Sequence, residues 1–250
     1  MDSARTAERL HALLELTSPP LAMAFSDDPP ANVPRIERAE AAGCGYWRLA
    51  GEGRVFYTLA EDHLGCPVGA YTHGVAMTGA DDKALHDTIG VMVGLGYLAE
   101  SEVPTIPRRV RPLRVVTYAP LAKAPVDPDV VLVRGAPRAV MLLSEAAQAA
   151  DARDLTFAGL RPACATVPQV LASAQATQSL GCIGSRVYTG LPDGEMWWAA
   201  PGPSLEEILD RLERIVHANQ ALEAHYRGRA ASALAESAGD PPPGRVAPAS

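Results

Sequence analysis

Two stretches of this chain repeat one another, and that repeat limits the folds open to it. Leu64-Gly65-Cys66 is followed by Tyr71-Thr72-His73-Gly74, and Leu180-Gly181-Cys182 is followed by Tyr188-Thr189-Gly190. Each stretch has a further cysteine upstream beside a small residue. Gly43-Cys44 stands 22 positions before Cys66, and Ala163-Cys164 stands 18 positions before Cys182. An Ala-Met-rich apolar segment precedes each pair, Leu21 to Phe25 in the first case and Ala139 to Leu143 in the second. Such self-similarity marks one supersecondary unit used twice. The expectation is a single globular unit over 1–235, made of two pseudo-symmetric αβ halves (approximately 1–112 and 113–235) that arose by internal duplication.

Local patterns fill in those halves as a mixed α/β fold. Leu21 to Phe25, between Pro19-Pro20 and the turn-rich Asp27-Asp28-Pro29-Pro30, reads as a buried strand, and Arg54 to Thr58 as a second. Leu113 to Tyr118 and Val130 to Val133 carry the β-branched residues that suit a pleated sheet. Ala139 to Leu143 is read as a further strand. Ala4 to Leu16, with Ser3 as its cap, and Ala80 to Val93 place apolar residues at helical spacing. Capping-box pairs at Thr78/Asp81, Thr166/Gln169 and Ser204/Glu207 set helix starts, the second opening a helix over 167–177. In the last helix Leu205, Ile208, Leu209, Leu212, Ile215, Val216 and Leu222 form one stripe. Apolar periodicity stops after Ala235, so 236–250, with Pro241-Pro242-Pro243-Gly244, is expected to be a disordered tail.

Composition narrows the function. A chain of 250 residues with 48% hydrophobic content can bury its core without disulfides. The net charge of −7, with no basic block, supplies nothing for phosphate neutralisation, so no nucleic-acid partner is expected. Residues 1–5 lack the pattern of a secretion signal, and no apolar run approaches the roughly 20 residues of a membrane span, so the expectation is cytoplasmic, without membrane contact.

In a reducing compartment four cysteines read as free thiols, metal ligands or redox groups. If the halves face each other across a twofold axis, Cys44, Cys66, Cys164 and Cys182 converge. Four soft sulfur donors suit an iron–sulfur cluster, with zinc as the alternative. Buried inert thiols and a redox disulfide stay open, because no pair has the short Cys-x-x-Cys spacing.

These residues carry a resemblance. Leu21 to Phe25, Gly43-Cys44, Gly65-Cys66-Pro67-Val68-Gly69, Ala119-Pro120-Leu121 with Pro128 to Leu132, Ala163-Cys164 and Gly181-Cys182-Ile183-Gly184-Ser185-Arg186 are similar to the family called domain of unknown function 169. The resemblance spans roughly residues 8 to 220. It implies that the four cysteines and Arg186 belong to a common site, and implies no particular reaction.

Arg186 has the planar fork that grips a carboxylate or phosphate, or serves in a surface or structural ion pair, and Gly184 lets backbone come close to a ligand. His63 and His73 flank Cys66 and are candidate ligands or proton carriers. Gly94-Leu95-Gly96 ends a helix rather than following a strand, so it is no dinucleotide fingerprint. Trp197-Trp198 is expected on a strand, with core packing as the default and one ring turned to a partner or ligand as the alternative. The combined expectation is a thiolate-ligated iron–sulfur or other soft-metal protein in a redox or Lewis-acid role. Arg186, Gly184 and His73 would form its small-anion site, with a small molecule or redox protein as partner. A metal-free small-molecule-binding module and a cysteine-dependent enzyme, with Cys164 or Cys66 activated, are the alternatives.

Overall fold

β-branched and aromatic segments that alternate between two covered faces make the centre of this protein a sheet. The computed structural model describes residues 1–151, 156–157 and 162–239. The strands are β1 (Leu21–Ser26), β2 (Phe56–Leu59), β3 (Val115–Pro120), β4 (Val130–Gly135), β5 (Thr156–Phe157), β6 (Thr177–Ser179) and β7 (Met196–Pro201). They lie in the order β2-β3-β1-β4-β7-β6-β5, antiparallel except for the parallel β5–β6 pair. Every residue of β3 and β7 is buried, so helices cover both faces.

One face packs α1 (Ser3–Leu14), α5 (Pro137–Asp151) and α8 (Leu205–Gly239) on Ala22, Val131, Val133 and Trp198. The other packs α2 (Gly45–Gly51), α3 (Pro67–His73) and α6 (Thr166–Ser173) on Met23, Tyr118, Leu132 and Trp197. On that second face α7 (Ile183–Thr189) is tied on by the Trp197 indole, which donates to Ser185 Oγ at 3.2 Å. Adjacent strand residues point to opposite faces, so Trp197 and Trp198 enter different cores. Both are buried, and neither is offered to a partner. Outside the second layer lies α4 (Ala80–Gly94).

Backbone pairing is symmetric about the centre of the sheet. β1 and β4 pair as Leu21↔Leu132, Ala22↔Val131 and Met23↔Val130, a register that maps onto itself when Leu21 and Val130 exchange. Leu21 opposes Pro120, the last residue of β3, and Val130 opposes Pro201, the last residue of β7. Phe56 then opposes Tyr118 as Thr177 opposes Ala199, each two residues before the closing proline. Even the parallel edge has a counterpart: Phe157 pairs with Gln178, and Arg35 makes a parallel bridge with Tyr57. This is symmetry of pairing; descent from a duplicated unit is part of the proposal below.

Several sequence expectations are corrected. Ala139 to Leu143 is not a strand but the first half of α5, whose buried residues Ala139, Val140, Leu142, Leu143, Ala146 and Ala147 follow a helical stripe. Alanine is the best helix former, and β4 occupies the place assigned to that segment. α1 is capped by Asp2, whose side chain accepts from Arg5 N, rather than by Ser3. The N-caps of α4 and α6 are Gly79 and Ala165, neither with a side-chain capping bond. Leu222 is exposed, so the buried stripe of α8 ends earlier. The same helix continues to Gly239, past the expected tail boundary; residues 240–250 lie outside the described residues.

Candidate functional site

The four cysteines stand at helix starts on one face of the sheet. Cys44 precedes α2, Cys66 precedes α3, Cys164 lies in the 3-10 turn Ala163–Ala165 before α6, and Cys182 precedes α7. Proline explains one of these starts: Pro67 at the first position of α3 has a preset φ and no amide hydrogen to lose. Cys66 and Cys182 act as N-caps in place of the usual serine or aspartate. Cys66 Sγ accepts from Gly69 N at 3.3 Å, and Cys182 Sγ accepts from Ser185 N at 3.4 Å.

Two further bonds tie the halves and the turn together. Thr72 Oγ1 donates to Cys164 Sγ at 3.3 Å across the halves, and Ala163 N donates to Cys182 Sγ at 3.4 Å. All four cysteines line one cavity of about 360 Å³. Gly43, Gly65, Gly69 and Gly184 line it with them, and a Cβ on Gly69 would stand 2.9 Å from Cys66 Sγ and 3.6 Å from Gly43 Cα. Glycine is thus required where α3 passes closest to the first cysteine segment.

Electrostatics at the sulfurs is dominated by burial. It pushes the Cys44 thiol up to about 12, with the neighbouring charges of Cys66 and Cys182 adding to the effect. Cys164, fully enclosed, is raised well above its ordinary value, first by burial and then by Cys66. The cysteines are free of disulfides. Among the described residues no three His, Cys, Asp or Glu side chains gather tightly enough to hold a single metal ion.

The three residues expected to form an anion site are not brought together. Arg186 does not line the cavity. Its guanidinium donates to the carbonyls of Pro192 at 2.7 Å and Leu180 at 2.6 Å and reaches those of Leu191 and Glu195, so it ties the loop after α7 to the segment before it. An arginine saturated by backbone acceptors has no free fork for a ligand. His73 is likewise outside the cavity. It is buried behind α3, with Nδ1 against the Gly69 carbonyl at 3.0 Å, and its ring stacks on His63 at 5.8 Å between centroids. Burial lowers His63 to about 3, helped by His73, and lowers His73 to about 4. Both are neutral at pH 7. Gly184 alone of the three remains at the site, lining the cavity beside Cys182.

Other lining residues were not anticipated. Leu85, Ile89 and Met92 of α4, with Tyr97, Leu98 and Ile106 beyond it, also line the cavity. The available signal was the excess of apolar residues on α4, which also carries Val91 and Val93 and so has more than one buried stripe requires.

Comparison with known proteins agrees with the resemblance read from the cysteine segments. The profile of the family described as Uncharacterised ArCR, domain of unknown function 169, matches residues 9–211. An uncharacterised protein of Methanocaldococcus jannaschii, MJ0308, is 29% identical over 170 residues, covering 65% of this chain and 71% of the relative. No solved structure matches the chain. With the matched span enclosing all four cysteines and the whole sheet, the chain belongs to the domain of unknown function 169 family.

Proposed function

We propose that Cys44, Cys66, Cys164 and Cys182 hold a soft-metal centre, an iron–sulfur cluster in the first place, which serves a redox or Lewis-acid role towards a small molecule or redox partner. One observation carries the reading: four thiols, two from each half of the sheet, line a single cavity, and three of them accept hydrogen bonds from amide or hydroxyl donors. Donors aimed at sulfur favour thiolate over thiol and are the usual surroundings of a ligating cysteine. A bound cluster supplies one-electron transfer or a Lewis-acidic iron. Gly69 N and Ser185 N orient two of the ligands, Thr72 Oγ1 orients a third, and the glycines leave room beside them. Because burial keeps Cys44 and Cys164 protonated without metal, loading releases protons and strengthens as pH rises.

The lack of a tight three-donor group among the described residues disfavours a mononuclear zinc site, whose four sulfurs crowd one ion at about 2.3 Å. The same observation supports the second reading, a metal-free binding module or single-thiol enzyme. We read the symmetric strand register as the mark of an internal duplication that gave each half two of the ligands. A cytoplasmic, reducing setting in which the thiols stay free completes the proposal. Among the described residues no helix is long and apolar enough to cross a membrane.

The test is anaerobic purification with iron, sulfide and zinc analysis and a visible spectrum, on the wild type and on each Cys→Ser variant. Charge-transfer absorption with stoichiometric iron that every single substitution weakens supports the cluster. Absence of metal under strictly anaerobic conditions, or full occupancy in all four variants, overturns it.

A further inference from the structure

We propose that the cavity beside the cysteines is a binding site for a neutral, largely apolar small molecule, held between the sulfurs and α4. The inference deepens the reading above by naming the ligand class. It rests on that reading only in taking this cavity as the functional site.

Charge is the first argument. Among the described residues that line the 360 Å³ cavity, none is Asp, Glu, Lys, Arg or His. A charged ligand entering it would lose its hydration with no ionic partner among those residues in return. The polar side chains that remain are hydroxyls and thiols, among them Tyr71, Thr88, Tyr188 and the four cysteines. Such a lining, apolar with a few fixed polar groups, is what a neutral organic molecule selects.

The position of α4 is the second argument. This helix has fifteen residues, yet only Leu85 is buried. A helix laid directly on a core buries three or four residues in every two turns. Here Ile89 and Met92 line the cavity instead of a packed core, while α4 leans on α3. A cleft lined by large apolar side chains from α4 and by glycines beside the cysteines leaves apolar surface that a neutral ligand would cover. The lining beside the sulfurs includes the small residues Gly43 and Gly69, and α4 with the segment after it adds the large apolar Leu85, Ile89, Met92 and Leu98. A ligand with an apolar body against α4 and a single soft or hydroxyl-bonding end towards the cysteines matches that division.

The probe is prodan, a neutral naphthalene fluorophore whose emission shifts to the blue in an apolar site, titrated into the protein as purified anaerobically. Competition uses 1-hexanol, hexanoate and hexylammonium, equal in chain length and different in charge. Blue-shifted emission is expected, displaced by hexanol at concentrations at least tenfold below those needed for either ion. Ile89→Asp should weaken prodan binding at least tenfold, whereas Val91→Asp, on the exposed side of the same helix, should leave it unchanged. No blue shift, equal competition by hexanoate, or equal loss in both variants overturns the inference. Metal analysis of the same samples separates the two readings. Prodan binding without metal removes the soft-metal centre and leaves the ligand site standing; metal without prodan binding does the reverse.

Discussion

Lowering the pH from 7.5 to 5 should cost this protein about 4 kcal/mol of stability through His63 and His73 alone. Both rings are buried behind α3 and neutral, and burial brings their proton affinities down to about 3 and about 4 from the ordinary 6.5. In the unfolded chain they protonate as the pH falls through 6.5; in the folded chain they do not. Unfolding therefore takes up protons in this window, and stability rises with pH between roughly 4 and 7. At pH 5 each unfolded histidine is favoured by about 2 kcal/mol, at pH 6 by about 0.8 kcal/mol. The size is insensitive to the folded-state values, because both lie about a unit or more below pH 5 and the ordinary 6.5 sets the result. With a denaturant dependence of about 3 kcal/mol per molar urea, the unfolding midpoint of the metal-free protein should drop by about 1.3 M. The assay is urea unfolding followed by circular dichroism at pH 7.5, 6 and 5, on the wild type and on His63→Gln/His73→Gln. A double variant that loses as much stability as the wild type over that range would refute the assignment of these rings as buried and neutral.

Gly69→Ala should push the Cys66 thiol aside, lower stability by about 1–3 kcal/mol and reduce metal content, read by thermal melting and iron analysis. An unchanged melting temperature with full metal would contradict the close packing of α3 on Gly43. Arg186→Lys should lower stability by about 1–3 kcal/mol, since an ammonium cannot bridge the carbonyls of Leu180, Pro192 and Glu195 together. Phosphate should not raise the melting temperature of the wild type, and phosphate stabilisation that disappears in this variant would restore the anion-site reading.

How far the sequence could be read depended on whether a signal was local. β1 was legible as a short apolar run after Pro19-Pro20, β3 and β4 as β-branched runs bounded by prolines and turns, and the cysteine segments because Pro67 and the Gly-Cys pairs punctuate them. Ala139 to Leu143 misled because a short apolar run is the same in a buried strand and a buried helix; its continuation through Ala146 and Ala147 separates the two. Arg186 was legible as special, as ligand fork or structural ion pair, but not as a tie between backbone segments, since its acceptors are main-chain carbonyls and any sequence supplies those. His63 and His73 were visible as neighbours of Cys66. Their seclusion depends on Phe25 and Tyr118, which come from distant strands. The cavity itself had no sequence signature, because it is a space between α4 and a sulfur wall assembled from both halves.

The contrast between floor and cover says where specificity can arise. The floor is nearly symmetric: each half gives a cysteine before one helix and an N-cap cysteine before the next, over strands in matching register. A symmetric floor treats the two ends of a ligand alike. The cover is not symmetric, because the chain between α3 and β3 carries α4 and the segment to Ile106, whereas the corresponding chain between α7 and β7 is a short turn closed by Arg186. Both ends of the longer excursion are fastened at one place, Arg109 N donating to the Thr72 carbonyl and Leu113 N to the Gly74 carbonyl. It can therefore change without disturbing the sheet, and its root lies beside Thr72, whose hydroxyl donates to Cys164. Chemistry common to relatives should thus reside in the cysteines and their donors, and discrimination among ligands in the residues of α4 that face them.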